Sequence, residues 1–432
     1  MIYFFRLFFT GGKGGCTARM RRKLTTKPFR PITQGFFVLF LSVLFAVAPP
    51  KPVHPCDGLI RMERDEWPFL LDDTAPGDLQ QSVDRSIAFL SKIKKDEQFV
   101  LCGRTYSAAY LRLGLEVFGR GLALAADEKE FQRFLLNNFI LCRAKGGDGA
   151  GTMLVTGYYE PLLAGSLEKK APYLYPLYRR PADLVERTRD DGGKEVGRLA
   201  SGEFIPYWTR REIEQGNLPP GNEIVYLADP VDVFVLQVQG SGKVRLPDGS
   251  VGKVRYAANN GRQYRSIGRL LVDRGAMTLE EVTLPKIIDY LHAHPDEVEE
   301  ILRHNDRYIF FSLVDGENDR PLEGPLGSFG QPLTGGRSLA LDKKCFPAPL
   351  VGFLETELPR FDADGNLTGW RATHRFVVNQ DTGAAIQGPG RVDFFLGGDK
   401  YAEQAAGVMK QPGALYFFLL NDERDYTGLL GN

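Results

Sequence analysis

Histidine and cysteine are scarce in this sequence, with five of each among 432 residues. The histidines, at 54, 292, 294, 304 and 374, form no ligand set. No C-x-x-C pair occurs and no histidine stands near a cysteine at metal-ligand spacing, so the residues argue against a metal centre. Net charge is missing as well: 54 basic residues cancel 54 acidic ones, and nothing marks a nucleic-acid binder. There is no internal repeat and no long low-complexity linker. No apolar run reaches the roughly 20 residues that a bilayer-spanning helix needs. What remains is a chain of ordinary globular composition, 43% hydrophobic and 25% charged, long enough for two domains or one large domain with an insertion.

Glycine and aromatics are plentiful: 48 glycines, 29 phenylalanines and 17 tyrosines favour strands and tight turns over helical bundles. The chain therefore reads as mostly β. Residues 1–56 form a separate targeting segment, because Arg21, Arg22, Lys23, Lys27 and Arg30 precede the apolar run Phe36–Ala48, which ends in the small residues of "AVA". This is a signal-peptide pattern whose true start could be Met20, although Pro49 is a poor neighbour for cleavage. An uncleaved anchor competes with it, and either would carry the rest of the chain across a membrane. A lipid on Cys56 fits less well, since "VHPC" puts proline and histidine where small residues belong. In an exported chain Cys102 and Cys142 could pair; two buried free thiols fit the sequence equally well.

Leu79, Val83, Ile87 and Leu90 recur at helical spacing between Asp78 and Ile93, and 118–141 also reads as helix. After Gly157 the texture becomes strand-like, in "EIVYLADP" and "VFVLQVQGSG", with Pro-Asp-Gly at 247–249 as a hairpin turn. Thr278 and Glu281 make a capping box, and "LPKIIDYLHAH" and "PDEVEEILRH" are two short helices with proline near each start. Beyond Asp306 strands return in "RYIFFSLV", "SLALD", "RFVVNQ", "VDFFLG" and "ALYFFLL".

Three aspartates border these last strands: Asp342, Asp381 and Asp393. A carboxylate held among apolar residues has its charged form disfavoured and keeps a proton at neutral pH, which a general acid requires. Taken singly, each fits a turn cap better. "DTG" gives Asp381 the look of an Asx-turn, whereas Asp393 lies between Val392 and Phe394, so Asp393 is the candidate acid. Glycines 388, 390, 397 and 398 would let a bulky chain approach the backbone, or simply shape a loop. In "TGYYEP" at 156–161, strand alternation allows only one of Tyr158 and Tyr159 to line a groove. Gln237 and Gln239 would share a strand face leading to Ser241. Amides and aromatics together suit sugars, with their apolar faces and hydroxyl rims.

Six ordered motifs carry a family resemblance: "TGYYEP", "VFVLQVQGSG", "YAANNGRQYRSIGRLL", "GPLGSFGQPLTGGRSLALD", "DTGAAIQGPGRVDFFLGG" and "AGVMKQPGALYFFLL". From about Gly151 onward the chain resembles the membrane-bound lytic murein transglycosylase A family. The resemblance implies a double-psi β-barrel with a three-aspartate (3D) domain and an inserted β domain. The boundaries expected are 57–164 and 307–432 for the two parts of the barrel domain and 165–306 for the insert. It implies cleavage of the β-1,4 bond between N-acetylmuramic acid and N-acetylglucosamine in peptidoglycan, with 1,6-anhydro products and no cofactor. Asp393 matches the catalytic acid, Asp381 supports it, and Tyr159, Glu160, Gln237, Gln239, Ser241 and Asp342 are the expected glycan contacts. A periplasmic monomer, free or held at the outer membrane, completes the expectation. A hydrolase using Glu160 or Asp381 as a second carboxylate, or a barrel that binds the cell wall without cutting it, are the rivals.

Overall fold

The computed structural model describes residues 56, 58–75, 77–189, 193–314, 324–383, 386–421 and 426. The basic stretch and the Phe36–Ala48 run lie outside them. Among the described residues no helix is long and apolar enough to cross a membrane.

The chain begins with β1 (Leu59–Arg61), α1 (Gly77–Leu90), the hairpin β2 (Gln98–Leu101) and β3 (Arg104–Ser107), then α2 (Ala108–Leu124), α3 (Glu128–Asn138), β4 (Phe139–Ala144) and β5 (Met153–Tyr158). The single helix expected over 118–141 is thus two helices and a strand. Asp127 caps α3 by accepting from the Glu130 N–H, and Phe139–Leu141 are taken into a sheet by β-sheet partners that local periodicity does not reveal.

A second group of elements follows: β6 (Leu162–Ser166), β7 (Tyr175–Tyr178), β8 (Val185–Thr188), β9 (Lys194–Ala200), β10 (Glu203–Pro206), α4 (Arg210–Glu214), β11 (Glu223–Leu227) and α5 (Pro230–Gln239). After it come β12 (Ser241–Arg245), β13 (Val251–Asn259), α6 (Ile267–Asp273), α7 (Leu284–Ala293), α8 (Pro295–Arg303) and β14 (Ile309–Val314). Here "VFVLQVQGSG" departs from expectation, since its first seven residues are helix. Asp229 caps the N-terminus by accepting from Val231 N–H at 2.8 Å, Pro230 occupies the first turn, and Gly240 closes the helix in the left-handed region at φ 82°. These end signals outweigh the β-branched valines between them.

The last elements are β15 (Ser338–Ala340), β16 (Val351–Phe361), β17 (Leu367–Asp381), β18 (Arg391–Phe395), α9 (Lys400–Val408) and β19 (Lys410–Leu420). Strand β19 pairs with both β16 and β5, so β5, β18, β15, β17, β16 and β19 close a ring of six strands, with β4 and β1 continuing from β19. Two pairings in the ring are parallel, β15 with β17 and β18 with β5. Closure removes the exposed edges. Phe118, Phe131, Phe376 and Phe418 pack edge to face or tilted between the ring and helices α2 and α3, each such burial stabilising by roughly 1.5–3 kcal/mol. The second sheet, ordered β14-β13-β12-β6-β11-β7, has its own core of Leu177, Val225, Val244, Val254 and Phe311. Its strands run from Leu162 to Val314. One crossing from ring to sheet runs directly from β5 through residues 159–161 into β6.

Two disulfides staple the ring side: Cys56–Cys345 and Cys102–Cys142, with Cα separations of 4.5 and 6.3 Å. The second settles the pairing that the sequence left open. The first places Cys56 in a bond to the chain 289 residues away.

Candidate active site

A cleft of about 510 Å³ lies between the ring and the second sheet. Its ring wall carries Asp393, Asp381, Tyr158 and Tyr159; its opposite wall carries Gln237, Gln239, Ser241, Arg255, Tyr256 and Arg307. An acidic, phenolic wall thus faces an amide and basic one, with Leu326 and Leu333 adding apolar surface.

Asp393 is placed by strand pairing on both sides. In β18 it lies opposite Ala340 of β15 and Thr156 of β5. The residue is 0% exposed, yet it lines the cleft. Oδ1 accepts a hydrogen bond from the Thr156 hydroxyl, and Arg391 Nη2 stands 3.4 Å from the same oxygen. Oδ2 has no hydrogen-bond partner among the described residues. The surroundings are therefore less purely apolar than Val392 and Phe394 imply, because both of those point into the core while alternation puts Arg391 on the face of Asp393.

Asp381 ends β17 and is fully engaged. Oδ1 accepts from the backbone N–H groups of Ser328 and Thr382, both at 2.8 Å, and Oδ2 accepts from the Tyr158 hydroxyl at 3.1 Å. Burial pushes its carboxyl above the usual range, against the three donors that hold it down. The Tyr158 hydroxyl is in turn raised well above its ordinary value by burial and by the Asp381 charge.

The remaining expected residues divide. Tyr158 and Tyr159 both line the cleft, contrary to strand alternation, because β5 ends at Tyr158 and the chain turns out of the strand there. The Tyr159 hydroxyl reaches Glu403 at 3.3 Å. Gln237 and Gln239 sit in the last turn of α5, not on a strand; Gln237 Oε1 accepts from Arg210 Nη2 at 2.5 Å. Ser241 follows the left-handed Gly240. Glu160 is outside the lining, buried and paired with Lys243 Nζ at 3.0 Å. Asp342 is outside it too: its oxygens accept from Lys344 N–H at 3.0 Å and Gly388 N–H at 2.7 Å, tying β15 to the glycine-rich loop. None of glycines 388, 390, 397 and 398 lines the cleft. A Cβ on Gly390 would stand 2.4 Å from the Gly147 backbone, so that glycine admits a neighbouring loop, not a ligand.

Sequence reading missed Thr156 and Arg391 behind Asp393, and Arg255, Tyr256 and Arg307 across the cleft. The first two were visible in principle: Arg391 precedes Asp393 by two on one strand, and Thr156 opens "TGYYEP".

Comparison with known proteins covers the chain on both walls of the cleft. The MltA specific insert domain model matches residues 154–312, and the 3D domain model matches 337–419. Lytic transglycosylase LtgG of Burkholderia pseudomallei is 30% identical, with 86% of this chain and 98% of that one covered and a TM-score of 0.54. The chain belongs to the membrane-bound lytic murein transglycosylase A family. Membrane-bound lytic murein transglycosylase A of Vibrio cholerae is 28% identical over 383 residues, 87% of this chain and 92% of the relative. The Agrobacterium tumefaciens membrane-bound lytic murein transglycosylase superposes with a TM-score of 0.66 at 29% identity, covering 84% of this chain and 98% of that one. The Escherichia coli family member crystallised with chitohexaose shares the fold, with a TM-score of 0.61 at 24% identity over 84% of this chain and 94% of that one.

Proposed function

We propose that this chain cleaves the β-1,4 bond between N-acetylmuramic acid and N-acetylglucosamine in peptidoglycan and releases a 1,6-anhydromuramoyl end, with Asp393 as the single acid and base. The observation that carries this is a fully buried carboxylate that lines the cleft with one oxygen unpartnered among the described residues. Protonated Asp393 gives its proton to the glycosidic oxygen as the bond from C1 to that oxygen breaks. The ionised carboxylate then takes the proton of the muramic acid 6-hydroxyl as that oxygen bonds to C1. No water enters, and because the nucleophile is tethered to the electrophile, positioning supplies what a second carboxylate does in ordinary glycosidases. Glycan binding across the cleft falls to Tyr159, Gln237, Gln239 and Ser241, with the family name and the chitohexaose complex of the Escherichia coli member as support.

The six-strand ring with two parallel pairs supports a double-psi barrel built from the chain before Leu162 and after Val314, and the inserted part is wider than the expected 165–306 because β6 and β14 both pair within the second sheet. Two disulfides form in an oxidising compartment, which supports export to the periplasm by the N-terminal segment. A thioether lipid on Cys56 and the Cys56–Cys345 bond exclude each other, so outer-membrane attachment needs another anchor.

One rival has an observation behind it: Asp381 lines the same cleft with a raised carboxyl pKa, as a second carboxylate in a hydrolysing muramidase would. Product analysis on purified peptidoglycan separates the readings. Anhydro ends are expected; reducing ends would establish the hydrolase, and intact glycan would leave a binding protein.

A further inference from the structure

The geometry points to Asp393 Oδ2 as the one oxygen that both gives and recovers the proton, with Thr156 and Arg391 as positioning residues that reserve Oδ1; this rests on the reading of Asp393 as the acid. The reasoning starts from donor inventory. Arginine has donors only, whereas a threonine hydroxyl has one proton to give and lone pairs to accept with. Arg391 Nη2 lies 3.4 Å from Thr156 Oγ1 and 3.4 Å from Asp393 Oδ1. Facing a donor, the Thr156 hydroxyl turns its own proton away from the guanidinium and toward Oδ1, to which it is hydrogen-bonded.

Oδ1 thus meets two donors and has no room for a proton of its own. A proton on the carboxyl group belongs on Oδ2, the oxygen with no partner among the described residues. Asp393 is among the cleft-lining residues, while Thr156 and Arg391 are not, so the pair act from behind the carboxylate without touching a bound glycan. The backbone reinforces this: Asp393 and Thr156 are cross-strand partners in the parallel β18–β5 pair, and Arg391 is two residues along the same strand.

A single-acid mechanism makes this arrangement matter. The proton leaves for the glycosidic oxygen and returns from the 6-hydroxyl, and both oxygens belong to one sugar's surroundings. If the carboxylate rotated between steps, the oxygen presented to the 6-hydroxyl would be the one engaged with Thr156 and Arg391. Holding Oδ1 leaves Oδ2, the unpartnered oxygen of a cleft-lining residue, as the one available to both substrate oxygens throughout.

The test sets shape against hydrogen bonding at position 156, reading anhydro-end release from soluble glycan strands. Thr156→Val keeps the volume and loses the donor; Thr156→Ser keeps the donor and loses a methyl. The expected result is a kcat lower by about 10- to 100-fold in Thr156→Val with KM nearly unchanged, the range a hydrogen bond to a charged group supports, and near-normal kcat in Thr156→Ser. A packing role gives the reverse order. Arg391→Gln is expected to lower kcat in the same manner, with partial rescue in Arg391→Lys, and thermal melts confirm that each variant is folded. Full activity of Thr156→Val, or equal damage in Thr156→Ser, overturns the assignment. Asp393→Asn is run alongside: if it is inactive while Thr156→Val is normal, only the positioning role fails, whereas an active Asp393→Asn removes the acid assignment itself.

Discussion

Asp393 and Asp381 line one cleft, and their surroundings divide the work between them. Asp381 spends its two oxygens on Ser328, Thr382 and Tyr158, which organises the loop and the tyrosine but leaves little for proton exchange with a substrate. Asp393 keeps Oδ2 unengaged among the described residues. Asp393→Asn preserves size while removing proton transfer, so it is expected to lose cleavage by at least about 10²–10⁴-fold, the usual range for general acid–base catalysis, with pull-down on insoluble peptidoglycan unchanged. Asp381→Asn is expected to lose less, because the amide oxygen still accepts from a backbone N–H. Comparable loss in both variants, read as anhydro ends per unit time, would move the chemistry toward a two-carboxylate site.

Helix α5 brings the amide side of the cleft into place, and its ends are where it is sensitive. Gly240 at φ 82° both closes the helix and turns Ser241 toward the cleft, so Gly240→Ala is expected to cost about 1 kcal/mol in urea melts and to weaken glycan binding. At the other end Asp229 caps the helix through Oδ1 and holds His292 Nε2 through Oδ2 at 2.7 Å. Next to it, burial, assisted by Asp229 and Glu403 and opposed by His292, raises the Asp232 carboxyl from 3.8 to about 6. A folded-state value above the unfolded one means that the native state binds the proton more tightly. The stabilising contribution is complete below the unfolded pKa and is lost as pH rises through about 6. Asp232→Asn is therefore expected to match the parent near pH 4 and exceed it at pH 7, by on the order of 1 kcal/mol after allowance for solvent screening. Melts at several pH values between these limits would show a constant difference if Asp232 did not titrate there.

For the whole molecule, the cleft depends on holding a closed ring against a second sheet, and the chain that forms the ring is widely separated in sequence. The Cys56–Cys345 bond closes a 289-residue separation and Cys102–Cys142 one of 40. Constraint of the unfolded chain grows with loop length, so Cys345→Ser is expected to cost about 2–5 kcal/mol and Cys102→Ser somewhat less. Denaturant midpoints with and without reductant check this; identical midpoints would mean that the thiols are not bonded in solution. Buried Glu160 pairs with the partly exposed Lys243 where the chain crosses from the ring into the second sheet. Its position suits a strut between the two walls better than a second catalytic carboxylate.

The motifs around Asp381 and Asp393, the hairpin at 247–249 and the paired helices of 284–303 were determined by sequence alone. Each depends on contacts within a few residues: alternation in "RVDFF", proline and capping residues at helix starts, glycine at a turn. Tertiary structure decided the rest. "VFVLQVQG" stands between the two, since its caps at Asp229 and Gly240 are local signals for helix while the β-branched residues between them favour a strand. Whether Phe139–Leu141 extends a helix turned on pairing with β19, almost 280 residues later. That Asp393 keeps one oxygen unpartnered among the described residues depends on Thr156, 237 residues away, meeting Oδ1 across a parallel strand pair. Local periodicity cannot report which distant strand arrives on which side, and that arrival is what separates a loop-tying aspartate such as Asp342 from one buried in the cleft wall such as Asp393.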